Sequence, residues 1–440
     1  MSEMDLLIKN GTVVSHRGID QLDIAIRDEK IVAIGNLKDV SAKEAIDATG
    51  LHVLPGVIDS QVHFREPGLE HKEDLATGTA AAALGGVTAI FEMPNTNPLT
   101  LTAKDMADKV RRGREKAWTD FAFFIGAAAE NVENLPMLER QEGVSGVKLF
   151  MGSSTGSLLV DNDEDIRRVL SSGVRRVAIH AEDEPRLLER RHLAVDTVLN
   201  HPVWRDEVVA YRATERVLKI ARETGRRIHV LHITTKEEIE LLAKYKDVAT
   251  VETTPQHLTL SSPDCYERLG SYAQMNPPIR GEEHRQGLWQ GVRDGVVDVI
   301  GSDHAPHTKE EKANAYPASP SGMPGVQTLL PLLLDHHNKG ELSLSHLMDL
   351  TSAGPARIYG VAGKGRIALG YDGDLTLVDL KRKQEITGDW LASKCGWSPF
   401  EGDTVTGWPV GTIIRGRQVM RDGELLGASG GEPVKFQECL

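Results

Sequence analysis

The sequence predicts an α/β protein that combines a (β/α)8 barrel with a smaller β domain. Three observations lead to this fold class: a length of 440 residues, all-β patterns at both ends, and a middle region in which apolar strand-like runs alternate with helical patterns. A barrel of this kind takes about 250 residues, which leaves enough chain for one companion domain. A doubly wound sheet produces the same alternation, so periodicity by itself leaves that alternative open.

Short strands and turns fill the first fifty residues. Asn10-Gly11 and Asp28-Glu29 have the composition of turns, and no amphipathic helix of useful length is predicted there. The last eighty residues have a similar pattern. Both ends are expected to form one small domain, because chain termini often lie close together. The strands predicted in the two ends are Leu6–Ile8, Thr12–Val14, Asp23–Arg27, Lys30–Ile34, Asp374–Asp379, Thr412–Ile414 and Gln418–Met420.

The middle region predicts eight strands with helices between them, which is the number of strands that closes a (β/α)8 barrel. The predicted strands are His52–His63, Val87–Met93, Phe121–Ala127, Gly146–Phe150, Arg176–His180, Arg227–His232, Ala249–Thr254 and Val297–Asp303. The clearest helical patterns are Glu73–Leu84, Ala103–Lys116, Asp163–Leu170, Asp206–Thr224 and Lys236–Lys244.

Composition and charge exclude several classes of function. Lys and Arg number 51 against 64 Asp and Glu, so the formal net charge is −13, and no Lys/Arg-rich tract occurs. Binding to nucleic acid or to a membrane surface is therefore not expected. The acidic start of the chain is unlike a secretory signal, and Cys265, Cys395 and Cys439 are too few and scattered for a disulfide framework. We therefore expect a cytoplasmic protein.

Residues with metal-binding side chains stand at the ends of several predicted strands. Four of the eight strands end on His63, His180, His232 or Asp303, and another carries Lys148 near its end. Barrel enzymes place their chemistry at this end of the strands, so these side chains are expected to converge. Imidazole nitrogens and a carboxylate suit zinc. A single histidine at a strand end is more often a hydrogen-bonded core residue, so the predicted metal site depends on the whole set.

Other polar residues follow the same strand ends. Burying an unpaired ammonium is costly, so Lys148 is expected either to reach the surface or to react with CO2 and become a carbamate that bridges two metals. Arg65 has the planar fork that binds carboxylates, and Asp303 is suited to move a proton as well as to bind metal. The remaining candidates for substrate contacts are Asn95, Asn276 and His307.

Ten short motifs occur in the order found in one known family and cover nearly the whole chain. They are Pro55-Gly56-Val57-Ile58-Asp59, Val62-His63-Phe64-Arg65-Glu66-Pro67-Gly68, Gly85-Gly86-Val87-Thr88, Met93-Pro94-Asn95-Thr96, Val147-Lys148-Leu149-Phe150, Ile179-His180-Ala181-Glu182, Leu231-His232-Ile233-Thr234-Thr235, Met275-Asn276-Pro277-Pro278, Ser302-Asp303-His304-Ala305-Pro306-His307 and Gly373-Asp374-Leu375. With these motifs the sequence resembles the amidohydrolase superfamily and, within it, the dihydroorotases.

The resemblance implies a (β/α)8 barrel over residues 55–364 and a β-sandwich built from residues 1–54 and 365–440. It also implies reversible conversion of N-carbamoyl-L-aspartate to L-dihydroorotate, a step of pyrimidine synthesis. In that reaction a metal-activated water attacks the ring carbonyl, and Asp303 acts as acid and base. The implied ligands of one or two zinc ions are His63, carboxylated Lys148, His180, His232 and Asp303. The implied substrate contacts are Arg65, Asn95, Asn276 and His307.

Two positions depart from the pattern of that family. Gln61 stands where the family usually has the first histidine of a His-x-His motif, and Gln256 precedes His257 where a pair of histidines is common. An amide oxygen is a weaker zinc ligand than imidazole. If two zinc ions bind, the more exposed one is therefore expected to bind loosely or to be absent.

Two alternative functions stay open. A hydantoinase or allantoinase uses similar chemistry, but its substrate lacks the ring carboxylate that Arg65 and Asn95 would bind. A catalytically silent subunit that supports aspartate transcarbamoylase is favoured only by Gln61.

Amphipathic barrel helices favour a homodimer. The polar stretch Thr308–Ser321 is either a solvated loop or a lid over the site.

Overall fold

The computed structural model describes residues 3–154 and 158–437, and the strands of these residues form two sheets. The first five strands belong to one sheet, in which β1 pairs antiparallel with β2 and parallel with β4 and β5. They are β1 (Met4–Ser15), β2 (Gly18–Arg27), β3 (Lys30–Gly35), β4 (Ala42–Asp47) and β5 (His52–Pro55). Two predicted strands, Leu6–Ile8 and Thr12–Val14, are therefore one strand. An irregularity at Asn10, with φ of 59°, replaces the predicted turn.

The second sheet is the predicted barrel, and its eight strands pair in parallel in chain order. They are β6 (Val57–Val62), β7 (Val87–Glu92), β8 (Asp120–Gly126), β9 (Val144–Phe150), β10 (Val177–His180), β11 (Ile228–Val230), β12 (Ala249–Thr253) and β13 (Val299–Ile300). The chain after β13 returns to β6, where the His63 N–H donates to the His304 carbonyl oxygen at 2.7 Å. Sequential order with joined edges distinguishes this barrel from a doubly wound sheet, whose strand order reverses.

The predicted strand His52–His63 is in fact two strands that belong to different sheets. β5 pairs with β1, whereas β6 pairs with β7. The break falls at Gly56, whose N–H donates to the Asp374 carbonyl oxygen at 2.9 Å. A Cβ at Gly56 would lie 2.4 Å from Thr88 Oγ1, so only glycine fits this junction between the two sheets.

Helices lie between the barrel strands, and a large apolar core fills the space between strands and helices. Two predicted helices, Ala103–Lys116 and Asp163–Leu170, have the bounds that the sequence predicts. Among the described residues, no helix is both long and apolar enough to cross a bilayer. The helices are α1 (Leu75–Leu84), α2 (Ala103–Lys116), α3 (Leu135–Leu138), α4 (Asp163–Leu170), α5 (Glu184–Glu189), α6 (His201–Trp204), α7 (Glu207–Thr224), α8 (Lys236–Leu242), α9 (Pro255–Thr259), α10 (Asp264–Leu269), α11 (Glu282–Arg293), α12 (Lys309–Lys312), α13 (Leu329–Asn338), α14 (Leu344–Met348) and α15 (Gly354–Tyr359).

The C-terminal strands complete the first sheet. They are β14 (Leu375–Glu385), β15 (Thr404–Ile414), β16 (Arg417–Arg421) and β17 (Glu424–Leu425). Because β14 pairs antiparallel with β5, the two ends of the chain meet in one sheet, as predicted. The exact boundaries of the two domains stay a prediction. The segment between β14 and β15 reaches the barrel, where Trp397 Nε1 donates to the His307 carbonyl oxygen at 2.8 Å.

Candidate active site

One pocket lies at the carboxyl ends of the barrel strands, where the sequence predicts the site. Eight of the nine predicted site residues line it: His63, Arg65, Asn95, Lys148, His180, His232, Asn276 and Asp303. Gln61, Phe150, Ser154, Ala305, Ser321 and Gly322 complete the lining. The convergence follows from the barrel, because the carboxyl ends of its parallel strands open on one face.

His63 and Asp303 form the first close pair. His63 Nε2 lies 3.3 Å from Asp303 Oδ1, and its Nδ1 lies 2.8 Å from the amide oxygen of Asn95. Burial lowers the pKa of His63, and the Asp303 carboxylate only partly opposes this effect. A neutral His63 that donates from Nδ1 to Asn95 turns the lone pair of Nε2 toward the Asp303 carboxylate. Two facing lone pairs favour a cation between them.

His180 and His232 form the second close pair, with His180 Nδ1 3.0 Å from His232 Nε2. His180 Nε2 lies 2.9 Å from Glu182 Oε2, a carboxylate oxygen that only accepts, so the proton of a neutral His180 belongs on Nε2. The lone pair of Nδ1 therefore points toward His232. Burial lowers the pKa of both histidines, which keeps them in the neutral form that binds metal.

Glu182, which belongs to the motif Ile179-His180-Ala181-Glu182, is a functional residue that the sequence does not predict. The side chain is fully buried and also accepts a hydrogen bond from the Arg205 guanidinium. Burial opposes ionisation of Glu182, but Arg205 and His180 outweigh it and lower its pKa to about 2. Glu182 is thus an ionised carboxylate that orients His180. The position two residues after a strand-end histidine is the sequence feature that could have revealed it.

Lys148 is buried near the end of β9, with its Nζ 4.4 Å from the centre of the Phe150 ring. Burial lowers the pKa of Lys148 to about 7, against the opposing effect of the Asp303 and Glu252 carboxyls. The prediction that the side chain reaches the surface is excluded. A large share of the amine is neutral at neutral pH, and a neutral amine is the form that reacts with CO2.

Two buried carboxyl groups that the sequence does not predict as site residues lie beneath the pocket. Glu252 accepts a hydrogen bond from Ser60 Oγ at 3.1 Å, and Asp59 accepts one from the Ser302 N–H at 3.0 Å. Burial raises the pKa of Glu252 to about 8 and that of Asp59 to about 7. Both groups sit inside barrel strands, where the sequence shows only a polar residue in an apolar run.

Arg65 is almost fully buried in the pocket wall. Its Nε donates to the Pro306 carbonyl oxygen at 3.2 Å, and its Nη2 lies 3.3 Å from His307 Nε2. Among the described residues no carboxylate lies within 4.0 Å of the guanidinium as an ion-pair partner. Burial lowers the pKa of Arg65 to about 10, so it remains charged. The site thus contains a buried cation that has no anionic partner among the described residues.

His307 is the one predicted site residue that lies outside the pocket lining. It is buried behind Arg65, with Nε2 3.0 Å from the Ser321 carbonyl oxygen and Nδ1 3.2 Å from Lys72 Nζ. Burial lowers the pKa of His307 to about 3, and the nearby cations add to this effect. A neutral His307 therefore donates from Nε2 to the Ser321 carbonyl oxygen, and Arg65 Nη2 lies beside that nitrogen without donating to it.

Asn276 also lines the pocket. Its amide oxygen accepts a hydrogen bond from His201 Nε2 at 3.1 Å, and its Nδ2 donates to Ser154 Oγ at 3.4 Å. His201 is fully buried and also donates to the Met275 carbonyl oxygen at 3.0 Å. These contacts fix the orientation of the Asn276 amide.

Three of the site residues have a left-handed backbone conformation that residues other than glycine rarely adopt. The values of φ are 66° at Arg65, 37° at His232 and 45° at Asp303. Such conformations cost about 1–3 kcal/mol each and persist where the surrounding structure imposes them, often at functional sites. They aim these three side chains into the same pocket.

The residue types are suitable metal ligands, although their side chains do not surround a common position. Within residues 3–154 and 158–437, His, Cys, Asp and Glu form no group of three or more spaced to hold a metal ion. The fifth predicted ligand, Lys148, supplies oxygen only after carboxylation. Gln61 Oε1 and His232 Nδ1 are buried with no hydrogen-bond partner among the described residues. Neutral imidazoles, a carboxylate and these free acceptor atoms suit a divalent cation.

Comparison with known proteins agrees with this fold. The model of the amidohydrolase family matches residues 52–419. The chain belongs to the amidohydrolase family. The predicted family and enzyme class are thereby confirmed. Similar proteins include a dihydroorotase from Methanosarcina mazei, 38% identical with 94% of each chain covered. A dihydroorotase from Halobacterium salinarum is 39% identical, with 94% of this chain and 96% of the relative covered.

Solved structures confirm the fold class of this amidohydrolase. The L-hydantoinase from Arthrobacter aurescens superposes with a TM-score of 0.93 at 30% identity, covering 98% of this chain and 99% of that one. A dihydropyrimidinase from Brevibacillus agri superposes with a TM-score of 0.90 at 28% identity, with 98% of each chain covered. A barrel that carries a second sheet is thus a shared architecture. The roles of individual site residues stay predictions.

Proposed function

We propose that this amidohydrolase is a dihydroorotase that interconverts L-dihydroorotate and N-carbamoyl-L-aspartate in pyrimidine synthesis. The observation that carries the proposal is the buried, unpaired guanidinium of Arg65 in the wall of the pocket. The ring carboxylate of dihydroorotate supplies the anion that this cation lacks. The sequence relatives named dihydroorotase support the same substrate.

Binding of the substrate follows from the positions of the polar groups. Arg65 grips the carboxylate through its planar fork, and Asn95, on the His63 side of the pocket, adds a second polar contact. Asn276, which also lines the pocket, is the proposed contact to the ring. His307 acts through Arg65, because it is buried behind the guanidinium rather than in the lining.

The residues proposed to hold one or two zinc ions are His63, carboxylated Lys148, His180, His232 and Asp303. A bound zinc ion would polarise the ring carbonyl and lower the pKa of water. Lys148 is suited to carboxylation because burial lowers its pKa to about 7. Glu182 fixes the orientation of His180, so that its Nδ1 lone pair faces the pocket.

Asp303 is the proposed acid and base. In hydrolysis its carboxylate takes the proton of the attacking water and delivers it to the ring nitrogen that departs, and in synthesis the order reverses. Gln61 Nε2 donates to Asp303 Oδ1 at 3.0 Å, which holds the carboxylate in place while the other oxygen stays available.

A hydantoinase is the second candidate function, because the superposed L-hydantoinase shares the whole fold at 30% identity. An uncharged hydantoin ring leaves Arg65 buried without its anion, which weakens this candidate. A silent subunit beside aspartate transcarbamoylase is weaker still, because such a subunit needs no converging metal-type residues. A homodimer and a cytoplasmic location remain part of the proposal. Sedimentation with and without aspartate transcarbamoylase tests both kinds of assembly.

Turnover of three substrates by the zinc- and bicarbonate-supplied enzyme tests the proposal. We expect hydrolysis of L-dihydroorotate, with hydantoin and allantoin slower by at least about tenfold, since a hydrogen bond to a charged group contributes about 1.5–3 kcal/mol. Preference for hydantoin would establish the second candidate instead. No turnover, together with no bound zinc, would establish the silent subunit.

A further inference from the structure

The segment from Thr308 to Gly322 includes the stretch that the sequence predicts as a loop or a lid, and it holds a buried cation outside the reacting centre. We propose that Lys312 is a positioning residue, whose ammonium ties three backbone carbonyls together and fixes the pocket wall that carries Asn276 and Ser321. The substrate named in the test rests on the proposed function. The structural part of the inference rests only on the contacts of Lys312.

Lys312 is fully buried at the end of the short helix α12. Its Nζ donates to the carbonyl oxygens of Gln274 at 3.3 Å, Pro320 at 2.8 Å and Gly322 at 3.0 Å. Burial lowers the pKa of Lys312 to about 7, but three acceptor oxygens around Nζ match the three N–H groups of the charged form, whereas a neutral amine would donate only two bonds. One side chain thus joins the residue two positions before Asn276 to the two residues that flank Ser321.

Gln274 joins the same two segments through other atoms. Its backbone oxygen accepts the Gly322 N–H at 2.9 Å. Its side-chain Nε2 donates to the Ser319 carbonyl oxygen and to Ser321 Oγ, each at 3.0 Å, while its Oε1 accepts from Ser319 Oγ at 2.7 Å. Lys312 and Gln274 therefore join the same two segments of the wall through separate hydrogen bonds.

The wall has little freedom to adjust. Gly322 has φ of 134°, and a Cβ there would lie 2.4 Å from the Ala305 carbonyl oxygen. Ala305, Ser321 and Gly322 all line the pocket. A small shift of this segment changes the pocket directly, and it also moves the Ser321 carbonyl that accepts from His307.

The terminal domain supports the same point from outside. Trp397, from the segment between β14 and β15, donates from Nε1 to the His307 carbonyl oxygen at 2.8 Å, and its ring centre lies 5.7 Å from Lys312 Nζ. The other face of α12 is fixed by an ion pair between Glu311 and Lys72 at 3.0 Å. Opening the segment would break the three hydrogen bonds that Lys312 donates, so these contacts favour a wall that stays in place.

Steady-state kinetics of K312M test the positioning role, with K309M as the matched control. Lys309 lies in the same helix but is exposed. If the competent wall falls to about a tenth of molecules, KM for dihydroorotate rises about tenfold, while kcat changes by less than about threefold. K309M is expected to match the unaltered enzyme. Unchanged KM in K312M, or a fall in kcat alone, would overturn the positioning role.

Q274A removes the other half of the same connection and keeps the test open if K312M fails to fold. We expect a similar rise in KM, and in the double variant less than the product of the two single effects, because both changes release one wall. Independent, multiplying effects would contradict a shared role.

Hydrogen exchange of the backbone amides supplies a readout that needs no substrate. K312M should speed exchange in residues 274–276 and 320–323 while leaving the barrel strands protected. Loss of protection throughout the barrel would mean a general stabilising role and would overturn the proposal. This readout also separates it from the proposed function: if dihydroorotate is not a substrate, the local exchange still decides the role of Lys312.

Discussion

Glu182 Oε2 lies 2.9 Å from His180 Nε2, and this contact determines which nitrogen of His180 faces the pocket. The carboxylate is itself held by Arg205, which lowers its pKa despite burial. Partners of this kind fix the tautomer and the ring orientation of a metal-binding histidine. The preorganisation of the site therefore extends one layer beyond the residues that line it.

Replacing Glu182 with Leu should weaken zinc binding by about 10–100-fold, the usual effect of removing such a partner. The change leaves His180 free to rotate and to exchange its tautomer. Competition with a chelator measures the affinity. E182Q, which keeps an acceptor, should retain more affinity than E182L, and E189Q, on an exposed residue of α5, serves as the control. Equal zinc affinity in E182L and the unaltered enzyme would refute this role.

Replacing Arg65 with Met should discriminate between substrates. Loss of a charge-assisted contact of about 1.5–3 kcal/mol raises KM for dihydroorotate by about 10–150-fold. Hydantoin has no carboxylate, so its KM should stay within about threefold of the unaltered value. R65K keeps the charge but not the planar fork, so its KM for dihydroorotate should lie between those of R65M and the unaltered enzyme. A parallel loss with both substrates would show that Arg65 supports the pocket rather than reading the carboxylate.

Replacing Asp303 with Asn should abolish most turnover and leave most of the zinc bound. Proton transfer by a positioned group contributes about 10²–10⁴-fold, and the amide has no equivalent base. Elemental analysis of the purified variant is the necessary companion measurement, because loss of metal would produce the same kinetic result for another reason. Near-normal kcat in D303N would exclude the role as acid and base.

The convergence of His63, Lys148 and Asp303 was predictable because strand ends of a barrel meet regardless of their distance in the sequence. The roles of Lys312 and Gln274 were not. Their partners are backbone carbonyls, which every residue carries, so no residue type in the sequence marks the contact. His307 shows a related limit: four residues from Asp303, it was expected in the pocket, but the returning chain places it behind Arg65. Sequence patterns predict which residues lie at the strand ends. The conformation of the following loops determines which of their side chains line the pocket.

Replacing Gln61 with His should increase the amount of zinc retained per chain. Gln61 Oε1 is a buried acceptor with no hydrogen-bond partner among the described residues, and imidazole is the stronger ligand at such a position. Zinc content after dialysis against a weak chelator measures the effect. Q61A removes both the acceptor and the bond to Asp303 and should retain no more zinc than the unaltered enzyme. If Q61H gained none, Gln61 would be a positioning group for Asp303 alone.

Replacing His201 with Gln should reduce the loss of stability in acid. Burial lowers the pKa of His201 to about 3 from an ordinary value of 6.5, and the Arg205 charge adds to this effect. Between pH 3 and 6.5 the unfolded chain therefore binds a proton at His201 that the folded chain does not. Unfolding free energy must fall as the pH falls through this window, by about 1.4 kcal/mol per pH unit for one such group.

Urea unfolding of H201Q at several pH values measures that slope. The variant should show a shallower decline below pH 6.5 and an unchanged slope above it. H192Q, on an exposed histidine, should keep the original slope. The test also bears on the site, because His201 Nε2 holds the amide oxygen of Asn276. If H201Q kept the full acid slope, the proton uptake would belong to another buried histidine, such as His307, whose pKa burial also lowers to about 3.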